Sequence, residues 1–288
     1  MSVKYLTPFT LFGFKRIFGE EASRPLLIDF LNALLPESDK IVKLAEPPAD
    51  SRIEQKAAFD FYCENESGEK FIAEMQTNSH DFFRDPGVYC SSFPILEQVE
   101  AAWEQNLKGI YCIGILNFAF DNCYSGEEEQ GVHIIELNNQ RGKAFCGKLT
   151  YIYLELPKFK KEENQLVTRL DKWIYFIKHL EDFQSVPALF KEEVFAQAFA
   201  KAEIAELRVK EFYAYEMSLK TIRDIEGILN YARKEGRKEG RMEAKMEAKK
   251  EIAMNMISEG EATEKITRCT ELDKETIEEL RNKGHYSL

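Results

Sequence analysis

No run of apolar residues in this 288-residue chain approaches the roughly 20 needed to cross a bilayer as a helix, and the N-terminus has no signal-peptide pattern. Net positive charge is missing as well. Lys and Arg number 39 against 50 Asp and Glu, a formal charge of −11, which argues against a protein that coats nucleic acid by charge alone. An acidic site neutralised by a bound cation before it meets phosphate remains compatible with that balance. Six cysteines occur, at 63, 90, 112, 123, 146 and 269, without a CxxC pair and without histidine at ligand spacing, so neither a zinc site nor a disulfide framework is expected. Several sit in apolar strand patterns, where cysteine behaves as a small buried hydrophobe, and a reducing cytoplasm is the expected compartment. The four histidines, at 80, 133, 179 and 285, form no HExxH or HxH pattern. There is no Walker-type loop, no nucleophile elbow and no Cys/His pairing that would support covalent catalysis.

What is present is a packable chain, 44% apolar and 12% aromatic. Apolar residues at helical spacing predict an amphipathic helix over 24–35 (RPLLIDFLNALL), ended by Pro36. Strands are predicted at 57–63 and 70–76, then a mostly helical stretch over 82–105 interrupted near Pro86-Gly87 and Pro94. Residues 109–118 (GIYCIGILNF) read as a strand buried on both faces, with further strands at 132–137 and 150–156. Helix, hairpin, helix and buried strand, in that order, predict a mixed α/β sheet covered by helices. After Pro157 the pattern is helical, over 164–182 and then 188–232 in one or two long helices.

From Tyr231 the run KEGRKEGRMEAKMEAKKE repeats Glu every fourth residue, with Gly236, Gly240, Ala244 and Ala248 at the same spacing. It reads as a helix laced by i,i+4 ion pairs, with a small-residue row that could admit a second helix. Residues 261–280 predict two short helices broken at Leu272-Asp273. Acidic residues outnumber basic ones there, so the outline of a helix-turn-helix lacks the charge of a DNA reader. The expected organisation is a core over 1–160, a helical extension over 161–232 and a charged helical tail over 233–288.

The hairpin carries the chemistry. On its first strand Phe59, Phe61 and Cys63 share one face, and Ala58, Asp60 and Tyr62 the other; on its second, Phe71, Ala73 and Met75 oppose Ile72, Glu74 and Gln76. Placing the apolar sets together requires Phe61 to face Ala73, which makes Asp60 face Glu74. The same pairing leaves Glu66-Ser67-Gly68 as a three-residue loop with Gly68 where a left-handed residue is needed. Asp60 and Glu74 would then have Cβ atoms roughly 5 Å apart, within reach of one hard divalent cation.

Around this hairpin the chain resembles the recombination-promoting nuclease family of the PD-(D/E)XK nuclease superfamily, whose members are also described as transposases. The resemblance rests on FGFKRIFG at 12–19, LLIDFLNALL at 26–35, FDFYCENESGEKFIAEMQ at 59–76, YLELPKF at 153–159, DKWIYFIKH at 171–179, SLKTIRD at 218–224 and the YARKEG start of the repeat. It implies a restriction-endonuclease-like core and Mg²⁺-dependent cleavage of DNA, with Mn²⁺ as a substitute, in recombination or mobile elements. It also implies Asp60 and Glu74 as metal ligands, with Gln76 where many relatives carry lysine. The chain departs from the family pattern at Leu11, where an acidic residue is usual, and at Pro86, often arginine. A nuclease-derived protein that binds DNA or partners without efficient cleavage is therefore the alternative, unless Glu20 or Glu21 substitutes for the missing acid. Lys15, Arg84, Lys158 and Lys160 are candidate contacts to the phosphate backbone, and a homodimer is expected because a duplex has two strands to cut.

Overall fold

The computed structural model describes residues 3–45, 61–76, 84–101, 107–119 and 131–284, which form two compact units, residues 1–219 and 220–288. In the first, helix α1 (Leu11–Phe18) is opened by Thr10, whose hydroxyl accepts the Gly13 N–H at 2.8 Å. A Cβ at Gly13 would stand 2.0 Å from the Thr7 carbonyl oxygen, so only glycine fits that turn. Helix α2 (Arg24–Leu34) stops just ahead of Pro36, as the sequence predicts, because a residue before proline is driven out of the helical region.

Strands β1 (Leu44–Ala45), β2 (Phe61–Asn65), β3 (Lys70–Gln76), β4 (Ile110–Leu116), β5 (Val132–Asn138) and β6 (Ala144–Glu155) form one sheet in the order β1-β2-β3-β4-β6-β5. Its middle strands β3, β4 and β6 are parallel; β1, β2 and β5 pair antiparallel at the flanks. Every residue of β4 is buried, as its unbroken apolar run predicts for a central parallel strand. This is the mixed sheet expected, with helices on both faces.

One helix contradicts its own punctuation. Helix α3 (Arg84–Ala101) runs unbroken through both predicted interruptions. Pro86 lies in the first turn, where backbone amides have no intrahelical partner and proline costs little. Pro94 is interior and forfeits a bond. Its neighbours Phe93 and Ile95 pack on the cluster of Ile72, Ile110 and Cys112, and that burial offsets the loss.

Helices α4 (Arg169–His179) and α5 (Glu193–Ala202) join α1 and α2 over the other sheet face. Trp173 is fully buried among Phe18, Phe30, Phe176 and Phe195. The helical stretch expected over 188–232 in one or two helices divides after Ala202. There Tyr5 bridges to Glu203, the Leu6 N–H bonds Ala202 oxygen at 2.9 Å, and the Ile204 N–H bonds Lys4 oxygen at 3.0 Å. The N-terminal segment thus captures these backbone groups and holds the chain extended.

Helix α6 (Val209–Ser258) then continues for 50 residues through the whole Glu/Lys repeat. In the second unit its last turns pack with α7 (Thr263–Thr270) and α8 (Lys274–Gly284) around Ala253, Ile266, Leu272 and Ile277. The break between α7 and α8 falls at 271–273, where the sequence places it.

Candidate active site at the C-terminal ends of the parallel strands

The β2–β3 hairpin has the register that its apolar pattern demands. Phe61 pairs with Ala73, Tyr62 with Ile72, Cys63 with Phe71 and Glu64 with Lys70. The Asn65 N–H reaches the Glu69 oxygen at 3.1 Å, and the Gly68 N–H reaches Asn65 oxygen at 3.0 Å. Gly68 has φ +81°, the left-handed conformation that closes a three-residue loop. Phe61 is fixed from α1 by Phe14, with ring centroids 5.1 Å apart.

Parallel pairing extends these rows across the sheet. Ile72, Cys112 and Tyr151 form one row. The next holds Glu74, Gly114 and Tyr153, with His133 paired to Tyr153 from β5. The last holds Gln76, Leu116 and Glu155. Glu74 and Gln76 therefore stand at the C-terminal ends of the parallel strands, where open α/β sheets place their ligands. The β4 residue opposite Glu74 is Gly114, so β4 contributes no side chain beside that carboxylate's position.

Asp60 lies outside the described residues, as do the side chains of Glu74, Gln76 and Arg84. Among the described residues no group of three His, Cys, Asp or Glu is arranged to hold a metal. The donor set read from the hairpin, two carboxylates with an amide oxygen nearby, fits a hard cation such as Mg²⁺. Of the other candidates, Lys15 is half-buried on α1, while Lys158 and Lys160 follow β6.

Leu11 opens α1 and is 58% exposed. Glu20, considered as a substitute acid, is already committed to two cations: Arg16 at 2.5 Å and Lys201. Burial alone would raise its carboxyl, but the Lys201 hydrogen bond and the Arg16 charge outweigh it and hold the group below the usual range. Cys63 is buried, and burial pushes its thiol up to about 12, which makes it an inert apolar residue as its strand pattern suggests.

One cluster escaped the sequence reading. Glu155, fully buried at the end of β6, takes His133 Nε2 at 2.5 Å and Lys158 Nζ at 2.5 Å on the same carboxylate oxygen. His133 belongs to no spacing motif, because its partner is 22 residues away and reached only by β5–β6 pairing. The available signal was a carboxylate closing the apolar run Tyr151–Leu154, a position too buried for an unpaired charge.

Comparison with curated proteins and with solved structures gives no significant match. A family model does match, that of the PD-(D/E)XK nuclease family transposase, over residues 8–232, which take in the entire sheet and the helices packed on it. With a mixed sheet, a two-strand hairpin and acidic residues at the expected strand ends, the chain belongs to the PD-(D/E)XK nuclease family transposases.

Proposed function

We propose that this chain is a Mg²⁺-dependent DNA endonuclease in which Asp60 and Glu74 hold the metal, Mn²⁺ substituting, and Gln76 completes the site. The observation that supports the reading is the hairpin register: Phe61 pairs with Ala73, and the same register continued by one residue would match residue 60 to residue 74. Such partners have Cβ atoms about 5 Å apart, close enough to share one cation. Bound there, Mg²⁺ would supply charge neutralisation at the phosphoryl oxygens and ease deprotonation of the attacking water. The carboxamide of Gln76 orients that water by hydrogen bonding and carries no charge, so it is neither acid nor base. Lys15, Arg84, Lys158 and Lys160 take backbone phosphates, offsetting the chain's negative charge locally.

In this reading residues 1–160 form the nuclease core, 161–232 are a helical extension, and 233–288 are a charged helical tail. The protein works in the cytoplasm on DNA undergoing recombination. No helix among the described residues is long and apolar enough to cross a membrane. Two copies act together, one centre per strand of a duplex; a sedimentation measurement showing only monomer at micromolar concentration removes that part. The test of the activity is nicking of supercoiled plasmid with Mg²⁺ or Mn²⁺. Cleavage that Asp60→Ala leaves untouched refutes the assignment.

A second reading, cleavage weakened or lost with DNA or partner binding retained, is favoured by Leu11, an exposed apolar residue where the family places an acid. Leu11→Asp separates the two: a large gain in nicking identifies an attenuated enzyme, and no gain makes Leu11 irrelevant.

A further inference from the structure

The cluster beyond β6 is built more tightly than a chance surface ion pair. Glu155 is 0% exposed and His133 4%, yet the Lys158 side chain remains 35% exposed. The side chain is thus anchored at Glu155 and partly open to solvent. The corner that carries it depends on Gly131, which has φ +67° and whose carbonyl accepts the Glu155 N–H at 2.7 Å. A Cβ on Gly131 would stand 2.7 Å from Glu155 oxygen and 2.8 Å from Lys158 Cβ. Strand end, glycine and the Leu156–Lys158 turn therefore interlock, and fix where the lysine stem leaves the backbone.

Its place in the sheet gives that ammonium a use. Gln76, Leu116 and Glu155 share the last row of the parallel strands. Two strand spacings, about 10 Å, separate the Gln76 and Glu155 backbones. Lys158 therefore leaves the sheet two strands away from Glu74, which suits a different phosphate of the same bound strand. An isolated salt bridge would serve fold stability equally well with the lysine's charge consumed by Glu155. Here His133 takes the same carboxylate oxygen, and the Glu155 contact uses one of the ammonium's three donors, which leaves hydrogen-bonding capacity toward solvent.

We propose that Glu155 and His133 are positioning residues that hold the Lys158 ammonium at the C-terminal edge of the sheet, where it binds a nucleic-acid phosphate beside the Glu74–Gln76 site and sets the register of the strand there. The inference rests on DNA docking at this edge, as the nuclease reading requires.

The experiment measures binding of a fluorescein-labelled DNA duplex to the full chain by anisotropy, without divalent metal, from 50 to 200 mM salt. Lys158→Gln should lower the slope of log affinity against log salt by about 0.9, a wild-type advantage that shrinks roughly threefold across that range, while Lys158→Arg keeps the slope. Glu155→Gln gives the sharper contrast. Removing a negative charge near DNA should tighten binding if Glu155 is only a strut, whereas a positioning role predicts weaker binding with the Lys158→Gln slope. Circular dichroism confirms folding of Glu155→Gln; should it unfold, His133→Gln takes its place, with a slope shallower than wild type expected and an unchanged slope overturning the positioning role. A Lys158→Gln slope equal to wild type, or tighter binding by folded Glu155→Gln, overturns the proposal. Plasmid nicking with an unchanged Lys158→Gln slope would end the lysine's role and leave the nuclease reading standing. A Lys158-dependent slope without nicking would do the reverse.

Discussion

The two faces of the sheet are built on opposite chemistry. One presents Phe61, Phe71, Ala73, Ile113, Ile115, Ile152 and Leu154 to four helices, and fills the gap with Phe14, Phe18, Phe30 and Trp173. The other carries Tyr62, Tyr151, Tyr153, His133 and Glu155 in successive rows, and its hydroxyls and carboxylate are tied to polar partners: Tyr62 to Glu97, Tyr151 to Ser91 at 2.8 Å, Glu155 to His133 and Lys158. The first face supplies cohesion through apolar and aromatic packing. The second spends buried area on groups that could be replaced by apolar ones at a gain in stability. The segregation is one of degree, because the packed face still carries Tyr111, whose hydroxyl donates to Asp39 at 2.8 Å.

Changing residues on each face should break different properties, and the largest effect is expected on catalysis. Asp60→Ala or Glu74→Ala should lower nicking by about 1,000-fold, since losing metal-supplied charge stabilisation costs several kcal/mol and each 1.4 kcal/mol is tenfold. Thermal midpoints should stay within a few degrees. A comparable loss of stability would mean that the carboxylates belong to the fold and not to the chemistry.

On the packed face the expectation is inverted. Trp173→Ala should cost about 3–5 kcal/mol in denaturant unfolding, the range for emptying an aromatic site. Asp29→Ala should cost about 2–4 kcal/mol although Asp29 is a single polar residue. It takes Arg169 through two bonds, at 2.7 and 2.8 Å, and the Trp173 indole N–H at 2.6 Å, so its loss leaves the buried indole without that acceptor and the guanidinium with Glu192 as its remaining carboxylate. An effect below 1 kcal/mol would show that this knot is decorative.

How far the sequence reveals these faces depends on the range of the forces. The β2–β3 register was legible because the two-residue alternation and the Gly68 turn fix it within 20 residues. The burial of β4 and the end of α2 at Pro36 were legible for the same local reason. The continuity of α3 was not, because Pro94 is tolerated through packing of its neighbours on another strand. Nor was the break after Ala202, caused by Tyr5 and Leu6 from the far end of the chain. The Glu155–His133 pair needed β5–β6 pairing, and that register shifts between Glu136 and Asn138, so no fixed spacing announces it. Asp29 read as one polar residue in an amphipathic helix, and its partners lie 140 and more positions away. The register of the hairpin, by contrast, lay within reach of local pattern.

A smaller effect sharpens the contrast by pH. Asp171, fully buried at the start of α4 beneath the packed face, accepts Lys161 Nζ at 2.8 Å and the backbone N–H groups of Val167 and Thr168, each at 3.0 Å. Burial pushes its carboxyl upward, but the Lys161 bond and the backbone donors together outweigh it and hold the group below the ordinary aspartate value of 3.8. A carboxyl depressed in the fold binds its proton more readily when unfolded, so its contribution is complete above that ordinary value and disappears as pH falls through the folded one. Asp171→Asn keeps one acceptor oxygen and loses the charge. It should therefore be less stable than wild type by about 1–2 kcal/mol at neutral pH. The gap should stay constant down to about pH 5 and close at lower pH, as the wild-type carboxyl takes up its proton. Comparing the two chains at each pH cancels the titration of Glu20 and the other acids, because both chains carry them. A gap that persists unchanged into acid would show that Asp171 acts through its shape and hydrogen bonds alone, and would make the packed face indifferent to charge.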